Sequence, residues 1–406
     1  MTLRLNLCTA IAVSCAVSCG HREDSKPSGE VNKEAQGTSQ TEPSVSGTAA
    51  FATAKVPVRL PGKMTPAPWL EGATRVVAMA KSAGEATPVI VAAGLGWMRW
   101  FDSKGKKLGE RSLSGSVQVL EVVDLDGDGA MAVLVGSGRG RDAVAAPIAL
   151  EIVRLNDAGL PETLPLPATT RAQVVSAVPA PGLTGQIWVA SYVSKFEVAI
   201  SRFARGDDGK WSLAESRGKH RVVGGMTILK DDTQYGTPVI ARMYGKDADT
   251  PGGVYELVSE TAQVTVPSVR GARALLAIPW SSQSWNLVVA DGWHKHYAKR
   301  AQGLVSFVSK SALDDAGEGW SLRHRLHVKD NYGFQRLRVG KVHSNPGFDI
   351  VASGNGPAIV VLPQRPELLF SLADVEAVDA FPINLDGDSR TEVVIVGPNP
   401  AIWSPL

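Results

Sequence analysis

One apolar pattern recurs seven times along this chain, and that recurrence restricts the fold more than any other feature. The copies that align are Pro88–Gly94, Met131–Gly136, Gln186–Ser191, Pro238–Arg242, Asn286–Gly292, Asp349–Gly354 and Glu392–Gly397. Each is a short run rich in Val, Ile and Ala that ends in small or polar residues, as a strand does when turns bound it. A first strand precedes them, for example Val117–Val123, Ala272–Ile278 and Val375–Phe381. A third follows, as in Trp97–Phe101, Ile148–Leu155, Val254–Val258 and Ala358–Leu362, and usually a more polar fourth. The copies lie roughly 40 to 65 residues apart, the spacing of four-stranded units with loops of unequal length. Unbroken apolar character implies that the second strands are buried on both faces. Small residues at their ends fit crowding near a central channel. The expected fold is all-β: a β-propeller of seven blades. The last copy stops at Pro405-Leu406, just after its third strand. Its missing outer strand is expected from Lys55–Leu60, so that an N-terminal strand closes the ring and removes an open edge. Two separate β domains, or a capped solenoid, leave the unfinished unit unexplained.

The N-terminal region reads as an address and a tether. Arg4 precedes a short apolar run, Leu5–Val17, too short to span a bilayer comfortably. It ends at Ala16-Val17-Ser18-Cys19-Gly20, which resembles the lipobox of bacterial lipoproteins, where cleavage leaves a lipidated Cys at the new N-terminus. Ala12-Val13-Ser14-Cys15 has the same form; Cys19 is favoured because polar sequence begins directly after it. An ordinary secretory signal with incidental cysteines is the alternative. The expected organisation is a signal over residues 1–18, a tether over 19–54 and the propeller over 55–406. All three cysteines lie in the first segment, so the folded part holds no disulfide and relies on burial. The tether is Ser, Thr, Glu, Lys, Gly and Pro with almost no large apolar residue, a composition that cannot offset ordering entropy. A flexible chain of that length reaches roughly 30–35 Å, enough to hold a globular domain clear of a membrane.

Two turns between first and second strands carry the clearest chemical motif. One is Asp124-Leu125-Asp126-Gly127-Asp128-Gly129; the other is Asn384-Leu385-Asp386-Gly387-Asp388-Ser389-Arg390-Thr391-Glu392. Alternating oxygen donors on a tight, glycine-assisted loop can wrap a hard cation such as Ca²⁺. The strand–loop–strand setting excludes an EF-hand. The bland alternative is a pair of Asx turns whose carboxylates bond their own backbone. On these loops the chain resembles the FG-GAP/VCBS propellers, the integrin-alpha-like repeat family, whose repeats read roughly D-x-D-G-D-G before an apolar strand. The resemblance implies Ca²⁺ held by the first, third, fifth and ninth side chains and the seventh carbonyl. In the last loop these are Asn384, Asp386, Asp388 and Glu392 with the carbonyl of Arg390. In the earlier loop they are Asp124, Asp126 and Asp128 with the carbonyl of Ala130, but Ala132 stands at the ninth position and one carboxylate is missing. Such an ion would be structural, pinning a turn.

Charge is nearly balanced, formally +2, so no global basic field points to a nucleic-acid partner. Locally, several of the loops that join second to third strands, or one blade to the next, are long and polar. They offer Arg139 and Arg141, then Lys246, then Trp293, His294, Lys295, His296, Tyr297, Lys299 and Arg300. Together these would form a basic surface with aromatic groups, suited to an anionic glycan, a phosphate group or an acidic protein segment. Each piece also has a plain reading as a solvated loop, and His294 with His296 lacks a visible third ligand for a transition metal.

Enzyme signatures are scarce. The sequence has no G-x-x-x-x-G-K-[ST], no H-E-x-x-H and no G-x-S-x-G, and no Cys follows the leader. Gly94-Leu95-Gly96 lies between strands and opens no helix, which argues against a nucleotide site. The leading expectation is a non-catalytic, lipid-anchored propeller of the bacterial cell envelope, facing the periplasm or the cell surface, that binds a protein or glycan and carries structural calcium. The alternatives are a carbohydrate-active enzyme such as a polysaccharide lyase, and a structural lipoprotein of envelope assembly.

Overall fold

A strand whose side chains are apolar at every position must be covered on both faces, and here stacked sheets supply the cover. The computed structural model describes residues 56–79, 88–127, 131–138, 150–155, 161–166, 174–180, 184–194, 196–221, 223–230, 235–242, 252–266, 271–281, 284–291, 303–311, 319–328, 333–343, 347–363, 365–388 and 390–406. All lie in the unit Ala50–Leu406. Seven antiparallel sheets follow one another along the chain. Blade 1 comprises Ala73–Met79, Val89–Gly94, Trp97–Phe101 and Lys107–Ser112, and blade 2 Ser116–Asp124, Met131–Gly138, Leu150–Val153 and Glu162–Thr163. Blade 3 is Val174–Pro179, Gln186–Tyr192, Glu197–Arg205 and Trp211–Arg221; blade 4 is Val223–Leu229, Thr237–Arg242, Val254–Leu257 and Gln263–Val266. Blade 5 is Ala272–Ser281, Ser284–Asp291, Leu304–Ser311 and Gly319–His327; blade 6 is Gly333–Gly340, Asp349–Asn355, Pro357–Leu362 and Arg365–Glu376. Blade 7 is Asp379–Ile383, Glu392–Val396 and Ala401–Pro405, completed by Gly62–Pro66. Each inner strand meets that of the next blade, and the seventh returns to the first. The molecule is a closed seven-bladed propeller.

Seven apolar clusters fill the seven gaps between adjacent blades. The second strands divide their side chains between two of them. In blade 1, Ile90 and Ala92 face blade 7, while Val89, Val91 and Ala93 face blade 2. This is why these strands read as continuous apolar runs rather than alternating ones. Small residues at their ends are required by close approach: a Cβ on Gly94 would lie 2.4 Å from the carbonyl oxygen of Gly72, at the entry to the same blade. That crowding comes from the blade's own entry corner, not from the channel as expected.

Polar clasps join the blades at their outer parts. Glu256 of blade 4, only 2% exposed, accepts from Lys310 Nζ at 2.7 Å and from Trp320 Nε1 at 2.8 Å, both on blade 5. Glu162 of blade 2 meets Arg205 Nη2 and Trp211 Nε1 of blade 3, each at 3.0 Å. Between blades 3 and 4, His220 Nδ1 accepts from Arg242 Nη2 at 2.9 Å while Nε2 donates to the Arg217 carbonyl at 2.7 Å.

The ring closes as expected, but with a different strand. Gly62–Pro66 pairs antiparallel with Ala401–Pro405, in register from Gly62 opposite Pro405 to Pro66 opposite Ala401. Of Lys55–Leu60, Lys55 lies outside the described residues. Val58–Arg59 instead runs parallel to the outer strand of blade 6, and Leu60 is buried between blades 6 and 7. Glycine explains the shift: a Cβ at position 62 would fall 2.3 Å from the Trp403 ring, so the strand that crosses Trp403 must present Gly there. The span Val375–Phe381 is also two elements, because Val375 and Glu376 end the outer strand of blade 6 and the inner strand of blade 7 starts at Asp379.

Candidate functional site

The two Asp loops open with the same turn and differ in electrostatics. Each opens with an Asx turn, the Gly127 amide on Asp124 Oδ1 at 2.8 Å and the Gly387 amide on Asn384 Oδ1 at 2.7 Å. Both glycines adopt positive φ, +71° and +83°, which the turn demands. Leu125 and Leu385 are buried and anchor the loops to the apolar clusters.

In the last loop, carboxylate oxygens of Asp386, Asp388 and Glu392 converge within 4.8 Å of one another. Glu392 is buried and accepts the Leu385 amide at 2.7 Å. Burial, and then the charges of Asp386 and Asp388, push its carboxyl above the ordinary range. Asp388 is exposed and held below its ordinary value, chiefly by the Arg390 amide at 2.6 Å; Arg390 Nε reaches its other oxygen at 3.2 Å. Asn384 turns its side chain to the Gly387 amide and the Asp388 carbonyl. Three anionic oxygens with one buried member fit a hard divalent cation.

In the earlier loop, arginines engage the described carboxylate at the third position. Asp126 accepts from Arg154 Nη2 at 2.7 Å and from Arg205 Nη1 at 2.9 Å, one guanidinium for each oxygen. Glu162 completes a four-charge network with the same arginines. Burial pulls Arg154 down, but Asp126 and then Glu162 outweigh it and hold it above its ordinary value. Asp128 and Ala130 lie outside the described residues.

So do Arg139, Arg141, Lys246, Trp293, His294, Lys295, His296, Tyr297, Lys299, Arg300 and Cys19, together with residues 1–55. A cluster of described positive charge lies elsewhere, on the inner strands. In blades 1 to 6 the inner strand skips one residue in its pairing near its start, at Thr74, Gln118, Val175, Gly224, Arg273 and Gln335. Such bulges re-aim side chains, and here they ring the mouth of the channel. A cavity of about 80 Å³ lies there, lined by Arg75, Arg273, Arg336, Gln118, Tyr192 and small apolar groups of blades 3 and 4. Two contacts cross the channel from blade 6 to blade 2: Arg336 Nη2 to the Gln118 carbonyl at 2.9 Å, between two residues that line the cavity, and Arg338 to both Glu121 oxygens at 2.9 and 3.0 Å. The cavity is a partly open cup. Asp379 of blade 7, fully buried, accepts the Val76 amide of blade 1 at 3.2 Å and the Ala380 amide at 2.9 Å. Burial pulls Arg338 down, but Glu121 and Asp379 outweigh it and hold it high. Arg75 is drawn the other way, down to about 9, by burial first and then by Arg336, with Asp379 opposing.

No protein-family model and no curated protein matches the chain. Solved structures do. One is BBS1N in complex with ARL6DN, 10% identical, with a TM-score of 0.54, covering 86% of this chain and 98% of that one. Another is the Cps50 (Swd1) β-propeller domain of Myceliophteria thermophila, 12% identical, with a TM-score of 0.54, covering 85% of this chain and 100% of that one. At these identities the likeness establishes the fold.

Proposed function

We propose that this chain is a non-catalytic binding module: a propeller exported to the bacterial cell envelope, held by a lipid on Cys19, that takes an acidic segment of a partner protein at its channel mouth. The observation that carries this reading is the set of three arginines, Arg75, Arg273 and Arg336, around one cup on a rigid ring. A protein partner is favoured over a glycan by a structural neighbour, BBS1N, which is solved in complex with ARL6DN. The test is anisotropy of a labelled Glu-rich peptide, with a Lys-rich peptide and a uronate oligosaccharide alongside. The Glu-rich peptide binds, and Arg75→Gln with Arg273→Gln weakens it about ten-fold or more. Equal binding by wild type and variant removes the channel mouth from the reading. Release of unsaturated products from uronate polymers would establish a lyase instead.

Calcium belongs to the same reading as a structural ion. Asp386, Asp388 and Glu392 would hold it, with Asn384 and the Arg390 carbonyl as further donors, and Arg390 would give up its contact with Asp388. The ion supplies charge balance for a crowded turn and no chemistry. At the Asp124–Asp126 turn, Arg154 and Arg205 already balance the charge of Asp126.

A further inference from the structure

His220 stands where blades 3 and 4 meet, and the partners of its two ring nitrogens fix what each must do. Nδ1 lies 2.9 Å from Arg242 Nη2, and a guanidinium can only donate, so Nδ1 accepts. Nε2 lies 2.7 Å from the Arg217 carbonyl, which can only accept, so Nε2 carries the proton. The pair of contacts therefore requires a neutral imidazole in one tautomer. A second proton would sit on Nδ1 and face the Arg242 N–H, turning the bond into a repulsion. The ring is only 8% exposed, which leaves little room for water to take the place of either partner. Charged groups of the described residues surround it. On its own strand, Glu215 is held by Arg217 at 2.7 Å and by Arg202 of the neighbouring strand at 3.1 Å. Lys219 and Arg221 flank His220, with Glu197 opposite Arg221. From blade 4 come Glu260, in the turn beside Gly218, and Arg242, which lies over the Tyr255 ring at 4.2 Å and also donates to Gln263 at 2.5 Å.

This contact borders the cup. In blade 3 the pairing row that starts at Tyr192 passes through Val198 and ends on His220. In blade 4, Arg242 is the register partner of Val223, next to the bulge at Gly224. Tyr192, Val223 and Gly224 all line the cavity. Tyr192, Val198 and Val223 also pack in the apolar cluster between the two blades. The bond from Arg242 to His220 thus joins the two rows that form one wall of the cup. We propose that His220 is a proton-sensitive latch on that wall: the neutral ring holds blades 3 and 4 together, and the protonated ring releases Arg242, loosens the wall and weakens binding at the channel mouth. This rests on the reading of the channel mouth as the binding face and adds its regulation. Burial holds His220 below its ordinary value; the Arg217 carbonyl opposes this, and the Arg242 charge adds to it. A depressed folded value keeps the latch closed at neutral pH and opens it as pH falls below about 6.5 and through that lower value.

The test is hydrogen exchange read by mass spectrometry on the full-length chain in detergent, with anisotropy of a labelled Glu-rich peptide alongside. Both are run at about pH 7.5 and about pH 5.5, where the peptide carboxylates stay mostly ionised, and exchange is corrected for its intrinsic pH dependence. One proton changes an equilibrium by at most about ten-fold per pH unit. Protection of Val223–Leu229 and Thr237–Arg242 should therefore fall about five- to ten-fold at the lower pH, while Val89–Gly94 of blade 1 keeps its protection. The peptide should lose affinity by a similar factor. His220→Gln offers an oxygen to Arg242 and an N–H to the Arg217 carbonyl at either pH, so protection and affinity should hold constant. If that variant fails to fold, imidazole NMR on isotope-labelled wild type provides the check. A neutral ring with its proton on Nε2 is expected at the higher pH, and an Nδ1–H tautomer or an imidazolium there overturns the proposal. Unchanged wild-type protection, equally strong peptide binding at both pH values, or a fall that His220→Gln shares overturns it as well. A peptide that binds at neither pH while protection falls removes the binding face and leaves the latch.

Discussion

The clasp at Glu256 allows a stability argument worked from its atoms. Replacing Glu256 by Ala removes the acceptor of two bonds, to Lys310 Nζ at 2.7 Å and to Trp320 Nε1 at 2.8 Å. Lys310 is 28% exposed and can recover water, but the Trp320 bond is buried. A lost charge-assisted bond costs about 1.5–3 kcal/mol, and a stranded buried donor about 1–3 kcal/mol. The expected loss is about 4 kcal/mol. Glu256→Gln keeps an acceptor for Trp320 and loses only the charge, for about 2 kcal/mol. A domain of roughly 350 residues unfolds with an entropy near 0.7 kcal/mol/K, so these losses lower Tm by about 6 °C and 3 °C. Thermal unfolding followed by circular dichroism measures both. The exposed Arg99–Glu110–Lys107 cluster serves as the control, and Glu110→Ala should leave Tm unchanged. In the double variant with Lys310→Met, the loss should be smaller than the two single losses combined. Equal Tm values for Glu256→Ala and Glu256→Gln would refute the reasoning, because the order rests on the stranded indole.

Three other outcomes are expected. Calcium raises Tm relative to EGTA, and Asp386→Ala abolishes most of the difference; no shift in the wild type sinks the structural ion. His220 is held below its ordinary value by burial first and then by Arg242, against the Arg217 carbonyl. A depressed folded pKa means stability is complete above the unfolded value near 6.5 and is lost as pH falls through the folded one. Denaturation of Glu256-intact protein between pH 7 and 5 should show that loss, and His220→Gln, which can serve both partners, should flatten it. Finally, Cys19→Ala moves the protein from the detergent phase to the aqueous phase in phase partitioning, and unchanged partitioning rejects the anchor.

The seven second strands were legible because burial on both faces leaves no room for polar residues, as in Val89–Gly94. Closure was legible from the incomplete last unit, but the segment expected to supply the strand, Lys55–Leu60 ahead of the first copy, is not the one that pairs. The determining residue, Gly62, matters only against Trp403, a partner at the other end of the chain. The Asp loops were visible as a pair, and Ala132 in place of a ninth-position carboxylate already set the earlier one apart, but what engages its Asp126 is not local. Arg154 and Arg205 stand 28 and 79 residues from Asp126, so their pairing appears only in three dimensions. The channel arginines were missed because the second strands, not the first, set the alignment. Aligning first strands places Arg75, Arg336 and Asp379 in one column and Arg273 in the column before it, which is the signal that could have found them.

The strand that completes blade 7 also dictates the order in which the chain can finish folding. Pairing Gly62 with Pro405 joins residues roughly 340 positions apart, an ordering cost of about 5 kcal/mol by loop-closure entropy alone. Local blades can form before that contact returns anything, so the seam forms late and is the first place for the ring to part. The last Asp loop is in the same sheet, and a cation held there would slow that parting from within.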